Sequence, residues 1–454
     1  MSYNDTTNTL TTKIIFGRNR KPQDEFCYRD LSKPVKSIPE DQMRFLSEAC
    51  PDMMSMTHGQ AHSLLPYFPG YKYDAGVSTY RGETVGEGGY VYAEPGIHTN
   101  VALLDVASMH PHSLISECLF GPKYTRIFRE IVVARVYIKH EQWSKAEKLL
   151  DGRLKPYIQK AKNGEISSKD LANALKTAIN SVYGLTSASF MNPFRDIRNV
   201  DNIVAKRGAL FMIDLKNEVQ SRGFTVAHIK TDSIKIPNAT PEIIKFVMDF
   251  GKQYGYTFEH EATYEKMCLV NDAVYIAKYA DGEHEYELPT GERIKTNWTA
   301  TGTQFAVPYV FKTLFGKVPY KFEDFCETKS VKTSIYLDMN ENLKQPVYDE
   351  VMNQESLMLD KKQVDDGEHD YQFIGRVGQF CPVVPGAGGG ILVREQNEKY
   401  YSVVGTKGYR WLESEFLRSE DWEKKIDMTY YNKLVDDAVE AIAKYGDVEW
   451  FIEK

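Results

Sequence analysis

Two aspartates lie inside apolar, β-branched stretches of this 454-residue sequence, Asp105 in LLDVASMHP and Asp232 in HIKTDSIKI. Stretches of this composition form buried strands. An ionised carboxylate is costly to bury unless a counter-charge pairs with it. Two neighbouring strands would bring both carboxylates to one position, and hard divalent cations prefer such clustered oxygen ligands. The sequence therefore predicts a Mg²⁺ site formed by Asp105 and Asp232, which Mn²⁺ could also fill.

A basic helical hairpin is predicted between the two aspartates. Its first arm presents Arg135 and Lys139 one turn apart on one face. Its second arm contains KTAINSVYG, in which Lys176, Asn180 and Tyr183 share a face at helical spacing. Any one of these cations could be an ordinary solvated charge. Three cations on matching faces between two acidic strands instead indicate a phosphate-binding surface.

Backbone groups after the first aspartate extend the predicted chemistry. The carbonyl of Val106 is a candidate metal ligand, and the amides of Ala107, Ser108 and Met109 form a candidate anion nest at the turn after the strand. In-line transfer of a nucleotidyl group requires two divalent ions surrounded by positive charge. One ion would lower the pKa of the attacking hydroxyl, and the other would neutralise the triphosphate. These residues together indicate nucleotidyl transfer.

Charge is unevenly distributed along the chain. The formal net charge is −7, yet residues 121–210 hold 17 Lys and Arg against 8 Asp and Glu, a local +9 that leaves −16 on the remainder. A basic segment in an acidic protein favours a localised phosphate-facing surface, although a solvated helical face would explain any single charge. The hydrophobic fraction of 42% is typical of a globular protein. No run is apolar enough to cross a bilayer and no signal peptide is visible, so we expect a cytoplasmic location and no membrane partner.

The six cysteines form no CxxC pair and no zinc-ligand spacing. We therefore expect isolated, buried thiols in a reducing compartment. His58 and His62 stand four residues apart, but nothing near them completes a metal site.

The three ordered motifs resemble those of family B (α-like) DNA polymerases, especially the compact phage-type members. DVASMHP is similar to the DxxSLYP motif of that family, KTAINSVYG to Kx3NSxYG, and KTDS to DTDS. The motifs cover about residues 80–240. The resemblance implies an α+β right-hand fold with an antiparallel-sheet palm, helical-hairpin fingers and a mixed thumb. It also implies template-directed DNA synthesis from dNTPs on primer–template DNA, in a phage-encoded case within the host cytoplasm.

Matching positions carry the roles of the family to this chain. The resemblance implies that Asp105 and Asp232 bind two Mg²⁺ ions and that Lys176 binds the triphosphate. Asn180 and Tyr183 would line the nascent base pair. The residues expected to contact the nucleotide are Ala107, Ser108, Met109, His110, Arg135, Lys139, Lys176, Asn180 and Tyr183.

Three positions depart from the family pattern within or near the motifs. His110 stands where the family has the Tyr that blocks a ribose 2′-OH, so exclusion of ribonucleotides would depend on an imidazole. Lys230 replaces the first Asp of DTDS; we expect it to contact DNA and to depress the pKa of Asp232. The primer-contacting KKRY-type segment corresponds to NDAVY (271–275), which lacks the lysines of that segment. Lys278, just after it, is the predicted substitute DNA contact.

A fourth departure concerns proofreading. Only about a hundred residues precede Asp105, and SYNDTTNT is faintly similar to the last exonuclease motif, with Asp5 in the acidic position. We therefore expect a split polymerase whose 3′–5′ exonuclease is a separate chain, or a truncated polymerase. The short spacing from Asp105 to Lys176 favours an ordinary nucleic-acid primer over a protein primer.

The predicted organisation is a lead-in at 1–75, palm at 76–115, fingers at 116–184, palm again at 185–290, and thumb with C-terminal region at 291–454. The first arm of the fingers is expected to be one helix over about 124–150. Glycine-rich stretches at 80–96 and 375–390 fit turns. The first could instead let the backbone approach a ligand or a partner strand closely, and the second could follow a sugar-phosphate backbone. Tyr80 and Gly82, in the first of them, are predicted DNA contacts.

Two competing hypotheses remain open at this stage. A catalytically silent, polymerase-like subunit that binds primer–template is favoured by Lys230 and by the missing exonuclease. A primase-like or RNA-making polymerase is made conceivable by His110. Primer extension with Mg²⁺ and with dNTPs and NTPs in parallel separates the three.

Overall fold

The protein combines helices with antiparallel strands. The computed structural model describes residues 3–4, 9–10, 64, 68–74, 77–86, 88–117, 119, 121–187, 199, 202–340, 369–396, 399–418 and 421–453. Antiparallel strand pairs form the sheets in these ranges beside the helices, so the predicted α+β class is confirmed. The predictions that involve Asp5, His58, His62, Cys27, Cys50 and Cys118 fall outside the described residues.

The chain forms two compact units. The first comprises residues 1–94 and 100–263, and the second comprises 95–99 and 264–454. In the described ranges, no helix combines the length and the apolar content needed to cross a membrane.

The first unit holds most of the helices. Its strands in chain order are β1 (Tyr3–Asn4), β2 (Thr9–Leu10), β3 (Lys72–Asp74), β4 (Val77–Tyr80), β5 (Glu83–Val85), β6 (Val91–Ala93), β7 (Gly96–Val106), β8 (His228–Lys230), β9 (Ser233–Pro237) and the first half of β10 (Phe258–Leu269). Its helices are α1 (Met109–Ser116), α2 (Gly121–Lys139), α3 (Trp143–Ala146), α4 (Lys155–Lys162), α5 (Ser168–Thr186), α6 (Ile203–Ser221) and α7 (Pro241–Gln253), with a 3₁₀ turn at Leu150–Gly152. Strand β7 begins in the second unit, because residues 96–99 belong there.

The main sheet of the first unit has the order β10-β7-β9-β8-β6. Side chains alternate between its two faces, so one face can be apolar while the other carries polar groups. Leu104 and Val106 on β7 and Ile234 and Ile236 on β9 are at most 1% exposed and share a core with α6. Asp105 lies between the first two of these residues in the strand, and therefore on the opposite face.

The predicted strand, tight turn and strand around Asp232 are confirmed. Strands β8 and β9 pair with each other, and Thr231 at the turn adopts a positive φ of 57°. Pro237 ends β9, as expected for a residue that lacks a backbone N–H. Helix α6 precedes these strands in the chain.

The predicted helix over 124–150 is wrong in its length. Helix α2 ends at Lys139, and Glu141 just beyond it has a left-handed φ of 54°, a conformation that terminates helices. Short elements α3 and α4 follow before Gly164 turns the chain into α5, which packs on α2. A small separate core stabilises this end of the hairpin. Its buried members are Ala134, Ile138, Ala146, Leu154, Ile158, Leu171 and Ala172.

The second unit is rich in strands. They are the second half of β10, then β11 (Tyr275–Tyr279), β12 (His284–Glu287), β13 (Arg293–Thr296), β14 (Trp298–Thr301), β15 (Glu327–Asp338), β16 (Tyr371–Val383), β17 (Ile391–Gln396), β18 (Lys399–Ser402) and β19 (Arg410–Glu413). The helices are α8 (Thr303–Ala306), α9 (Pro308–Phe311), α10 (Ser414–Leu417), α11 (Met428–Ala443) and α12 (Val448–Ile452), with a π-helical turn at Lys312–Gly316 and 3₁₀ turns at Phe322–Phe325 and Trp422–Lys424. A five-stranded sheet of this unit has the order β18-β17-β15-β16-β19.

One expectation about the cysteines needs correction in this unit. Cys268, Cys326 and Cys381 are buried and reduced, as predicted. Cys326 and Cys381 are not isolated, however, because their sulfurs lie 3.5 Å apart where β15 and β16 pair. Sequence spacing could not reveal this proximity, since 54 residues separate the two thiols.

Candidate active site

Asp105 and Asp232 lie at the ends of two adjacent strands. Asp105 is opposite Ser233 in the register of β7 and β9, and the Val106 amide donates a hydrogen bond of 2.9 Å to the carbonyl of Asp232. The Asp232 amide donates to the Lys230 carbonyl at 2.7 Å, which closes the turn between β8 and β9. The two aspartates are therefore held as neighbours by backbone pairing.

The glycine-rich stretch before β7 approaches this turn closely. The Thr231 amide donates to the Tyr90 carbonyl at 2.9 Å. A Cβ built on Gly89 would lie 3.0 Å from Cγ2 of Thr231, and Gly89 also has a φ of 135° that other residues rarely adopt. Of the two interpretations left open for this stretch, close backbone approach to a partner segment therefore describes Gly89.

Burial raises the pKa values of both aspartates, and like charge adds to the effect at Asp105. Burial is the largest cause for Asp105, followed by the charges of Asp232 and Glu261, and its pKa rises to about 7. Burial also raises the pKa of Asp232, against the opposing effects of its own backbone hydrogen bond and the charge of His110. The predicted depression of the Asp232 pKa by Lys230 is therefore wrong. Two carboxylates that repel each other in a partly buried place fit a site that a divalent cation would stabilise.

The sequence analysis missed a buried lysine beside this pair. Lys235, on β9, is 3% exposed, and its Nζ lies 3.1 Å from Nδ1 of His228. Burial lowers its pKa to about 8, while the negative charge of Asp105 opposes that effect. A lysine in the middle of an otherwise apolar strand was the available signal, since buried lysines are rare without a charged partner.

Two further carboxylates were also missed. The Ala107 amide donates to the Thr257 carbonyl at 2.9 Å, which sets the end of β7 beside the start of β10. Glu259 and Glu261 on β10 both raise the pKa of Asp105. In the part of the chain that the structure describes, no three His, Cys, Asp or Glu side chains form a preassembled metal-binding group.

The turn after β7 supplies polar groups to the same place. Ser108 has a left-handed φ of 60° and caps α1, and Nη1 of Arg135 donates to its hydroxyl at 3.0 Å. The amides of Ser108 and Met109 lie at the start of α1, where helical N–H groups have no intrahelical acceptor. The predicted anion contact of Ala107 needs correction, because its amide is already bonded to Thr257.

His110 and Tyr183 bring α1 and α5 together. Their rings are stacked with centroids 4.8 Å apart and planes inclined by 5°. Burial lowers the pKa of His110, with the charge of Asp232 opposing. The imidazole is therefore uncharged at neutral pH. Its Nδ1 is buried and has no hydrogen-bond partner among the described residues.

The remaining finger residues lie on the exposed faces of α2 and α5. Lys176 is exposed, and its charge acts on Asp232. Nζ of Lys139 lies 3.7 Å from a Glu259 oxygen. Asn180 is exposed, one turn beyond Lys176. The structure thus brings Arg135, Lys176, His110 and Tyr183 to the aspartates.

The four predicted DNA contacts have different surroundings. The prediction for Tyr80 needs correction, because its side chain is 2% exposed and its hydroxyl donates to both carboxylate oxygens of Asp214 at 2.9 Å. Gly82 has a φ of 83° in the two-residue turn between β4 and β5, so the turn interpretation describes it. Lys230 is exposed at the end of β8. Lys278, in the second unit, is paired with Glu265 at 2.9 Å and with Glu453.

Comparison with known proteins gives a distant structural likeness and no sequence match. No family profile matches the chain, and no curated protein matches its sequence. Among solved structures, it is similar to the family B DNA polymerase from the hyperthermophilic archaeon Pyrobaculum calidifontis, with a TM-score of 0.38 and 13% sequence identity. The alignment covers 87% of this chain and 52% of the archaeal one, so this chain spans about half the length of that polymerase.

Proposed function

We propose that this chain is a template-directed DNA polymerase that adds dNTPs to a primer 3′-OH. The observation that carries the proposal is the pairing of β7 with β9, which puts Asp105 and Asp232 side by side at strand ends. The charge of Asp232 raises the pKa of Asp105, which supports a role of the pair in cation binding. Nucleotidyl transfer is the reaction that best fits such a pair among basic side chains.

The residues present would hold two Mg²⁺ ions through Asp105 and Asp232, with the Val106 carbonyl as a further ligand. Bound there, the metal would supply an acidified hydroxyl and a neutralised triphosphate. Mn²⁺ would serve as a substitute.

Arg135 and Lys176 would orient the triphosphate from opposite arms of the hairpin. The Ser108 hydroxyl fixes one nitrogen of the Arg135 guanidinium, which leaves its other donors for a phosphate. Burial lowers the pKa of Arg135, but guanidinium remains charged in proteins. The amides of Ser108 and Met109 would add neutral donors at the start of α1.

The stacked rings of His110 and Tyr183 would form the wall against which the sugar and base of the nucleotide lie. An uncharged imidazole is better suited to this role than an imidazolium, because it can pack against a ring without the cost of burying charge. Asn180 would complete the wall from the next turn of α5.

Primer extension with Mg²⁺ and dNTPs tests this proposal. We expect Asp105→Asn and Asp232→Asn each to lower the rate by more than about 100-fold, since loss of even an outer-shell partner of a metal costs about 10- to 100-fold. Asp249→Asn is the matched control, because Asp249 is an exposed helical carboxylate on α7 paired with lysines. Equal extension by wild type and both aspartate variants would overturn the proposal.

The silent-subunit hypothesis predicts a different result in the same assay. Lys230, exposed beside Asp232 where the family has a carboxylate, is the observation that favours it. A silent subunit would bind primer–template without extending it under any divalent cation. Extension by NTPs on an unprimed template would instead support the RNA-making hypothesis.

A further inference from the structure

The tip of the fingers is a small basic module at residues 143–163. It contains α3, the 3₁₀ turn and α4, and it packs on the separate core described above. Six Lys and Arg residues stand against two Asp and Glu in this segment, a local +4 in a chain of net charge −7. The excess of positive charge is therefore a property of this module and not of the protein as a whole.

Most of these cations are not neutralised. Lys162 forms an ion pair with Glu147 at 2.5 Å. Of the other five, Lys148, Arg153, Lys155 and Lys160 have no carboxylate within ion-pair distance among the described residues, and Lys145 donates a hydrogen bond to Gln142. All four are exposed: Lys148 lies in the turn after α3, and the other three lie on and beside α4. Unpaired, solvated cations of this density attract a polyanion.

An aromatic side chain lies within the basic surface. Tyr157 is 54% exposed and has no ring partner among the described residues. Arg153, Tyr157 and Lys160 follow one another at i, i+4 and i+7, so they share one face of the helical segment. Ile158 is fully buried on the opposite face, which fixes the orientation of that surface.

We propose that this tip binds single-stranded nucleic acid, with Arg153, Lys155 and Lys160 on the phosphates and the Tyr157 ring stacked on a base. An exposed aromatic among cations is the arrangement that binds single strands, because unpaired bases present their faces for stacking. A duplex would offer its phosphates but not its base faces. An acidic protein surface would use the cations and leave the exposed ring without a role.

The position of the tip indicates which single strand would bind there. This step rests on the proposed polymerase function. Ser168 begins α5 at the tip, and Lys176 follows eight residues later on the same helix, about 12 Å along its axis. The tip therefore lies beyond the nucleotide-binding residues along the hairpin. A single strand there would be the template that has not yet been copied.

Fluorescence anisotropy with the full chain and a labelled oligothymidylate tests the binding step. We expect Tyr157→Ala to weaken binding by about 5- to 150-fold, the range for loss of one stacked base, while Tyr157→Phe retains it. Lys155→Gln/Lys160→Gln should reduce the slope of log affinity against log salt by about 1.4, since each phosphate contact to a single strand contributes about 0.7. Phe416→Ala, at a comparably exposed ring in the second unit, is the aromatic control, and Lys245→Gln/Lys252→Gln on α7 is the charge control.

The outcomes separate this inference from the proposed function. If affinity and salt slope are the same in the tip variants as in the wild type, the tip is not a nucleic-acid surface. Equal losses with a duplex of the same length would also overturn it, because stacking on Tyr157 requires unpaired bases. A wild type that binds single strands through the tip but extends no primer would refute the polymerase and leave the binding surface intact.

Discussion

The imidazole of His110 lies flat against the ring of Tyr183, with centroids 4.8 Å apart and an interplanar angle of 5°. The first residue belongs to the helix that follows the Asp105 strand, and the second belongs to the last turns of the α5 finger helix. This stack is therefore a joint between α1 and α5 beside the candidate metal site. Burial lowers the pKa of His110 and so keeps the stacked imidazole uncharged.

Sugar discrimination should depend on this joint. We expect His110→Ala to raise incorporation of NTPs relative to dNTPs by about tenfold or more, because the ring that fills space beside the nucleotide is lost. The measurement is the ratio of kcat/KM for the two nucleotide types in primer extension. His284→Ala, at an exposed histidine of the second unit, is the control. A wild-type ratio near one would show that His110 does not act as a gate.

The raised pKa of Asp105 predicts a pH dependence of stability. Its folded-state pKa of about 7 lies above the ordinary value of 3.8, so the folded protein binds the proton more tightly than the unfolded chain. The free energy of unfolding of the metal-free protein should therefore fall as pH rises from about 4 to about 7, and this contribution should be constant above that range. Asp105→Asn should lack it.

Denaturant titrations of both proteins between pH 4.5 and 8 measure the difference. Since Mg²⁺ competes with the proton for the same carboxylate, Mg²⁺ should raise the melting temperature more at pH 8 than at pH 6. A stabilisation by Mg²⁺ that is equal at both pH values, or equal in Asp105→Asn, would contradict the assignment of the site.

Glu261 should tune the same carboxylate without binding substrate itself. Removing its charge by Glu261→Gln lowers the pKa of Asp105, because Glu261 is one of the negative charges that raise it. The acid limb of the pH–rate profile should consequently move to lower pH. Glu265→Gln, four residues along β10, is the comparison. If the acid limb of the pH–rate profile does not move in Glu261→Gln, the charge of Glu261 does not act on the carboxylate that sets the rate.

Gly89 should be intolerant of a side chain. A methyl group there meets Thr231 at 3.0 Å and is strained by the positive φ, so Gly89→Ala should displace the turn that carries Asp232. We expect a loss of stability of about 1–3 kcal/mol, together with a lower rate of extension. Gly82→Ala is the comparison, since a Cβ at that turn meets no atom within 4 Å and only the strain of its φ remains. Full activity of Gly89→Ala would show that the contact is not needed.

The sequence was sufficient to predict the strands that carry Asp105 and Asp232, because composition and alternation are local properties of the chain. It was not sufficient for Glu259 and Glu261, because their place beside Asp105 depends on which strand neighbours β7 in the sheet. The stretch FEHEATYEKM alternates as an ordinary half-exposed strand would, and its partner cannot be read from that alternation.

Tyr80 illustrates the opposite failure. A tyrosine in a glycine-rich stretch before the first motif suggested a DNA contact, yet its hydroxyl is bonded to Asp214, which is 134 residues away. The predicted length of helix α2 was wrong for a related reason, because nothing in the residue types around Glu141 indicates a left-handed backbone. Long-range partners and single backbone conformations are set by packing that no window of sequence contains.

The hydrogen bond from Val106 to Asp232 joins residues that have more than a hundred others between them, including both arms of the fingers. During synthesis, the first aspartate therefore leaves the ribosome long before its companion. A nascent chain has no carboxylate pair until β9 has emerged and paired with β7. Mg²⁺ can therefore stabilise the fold only at that late stage.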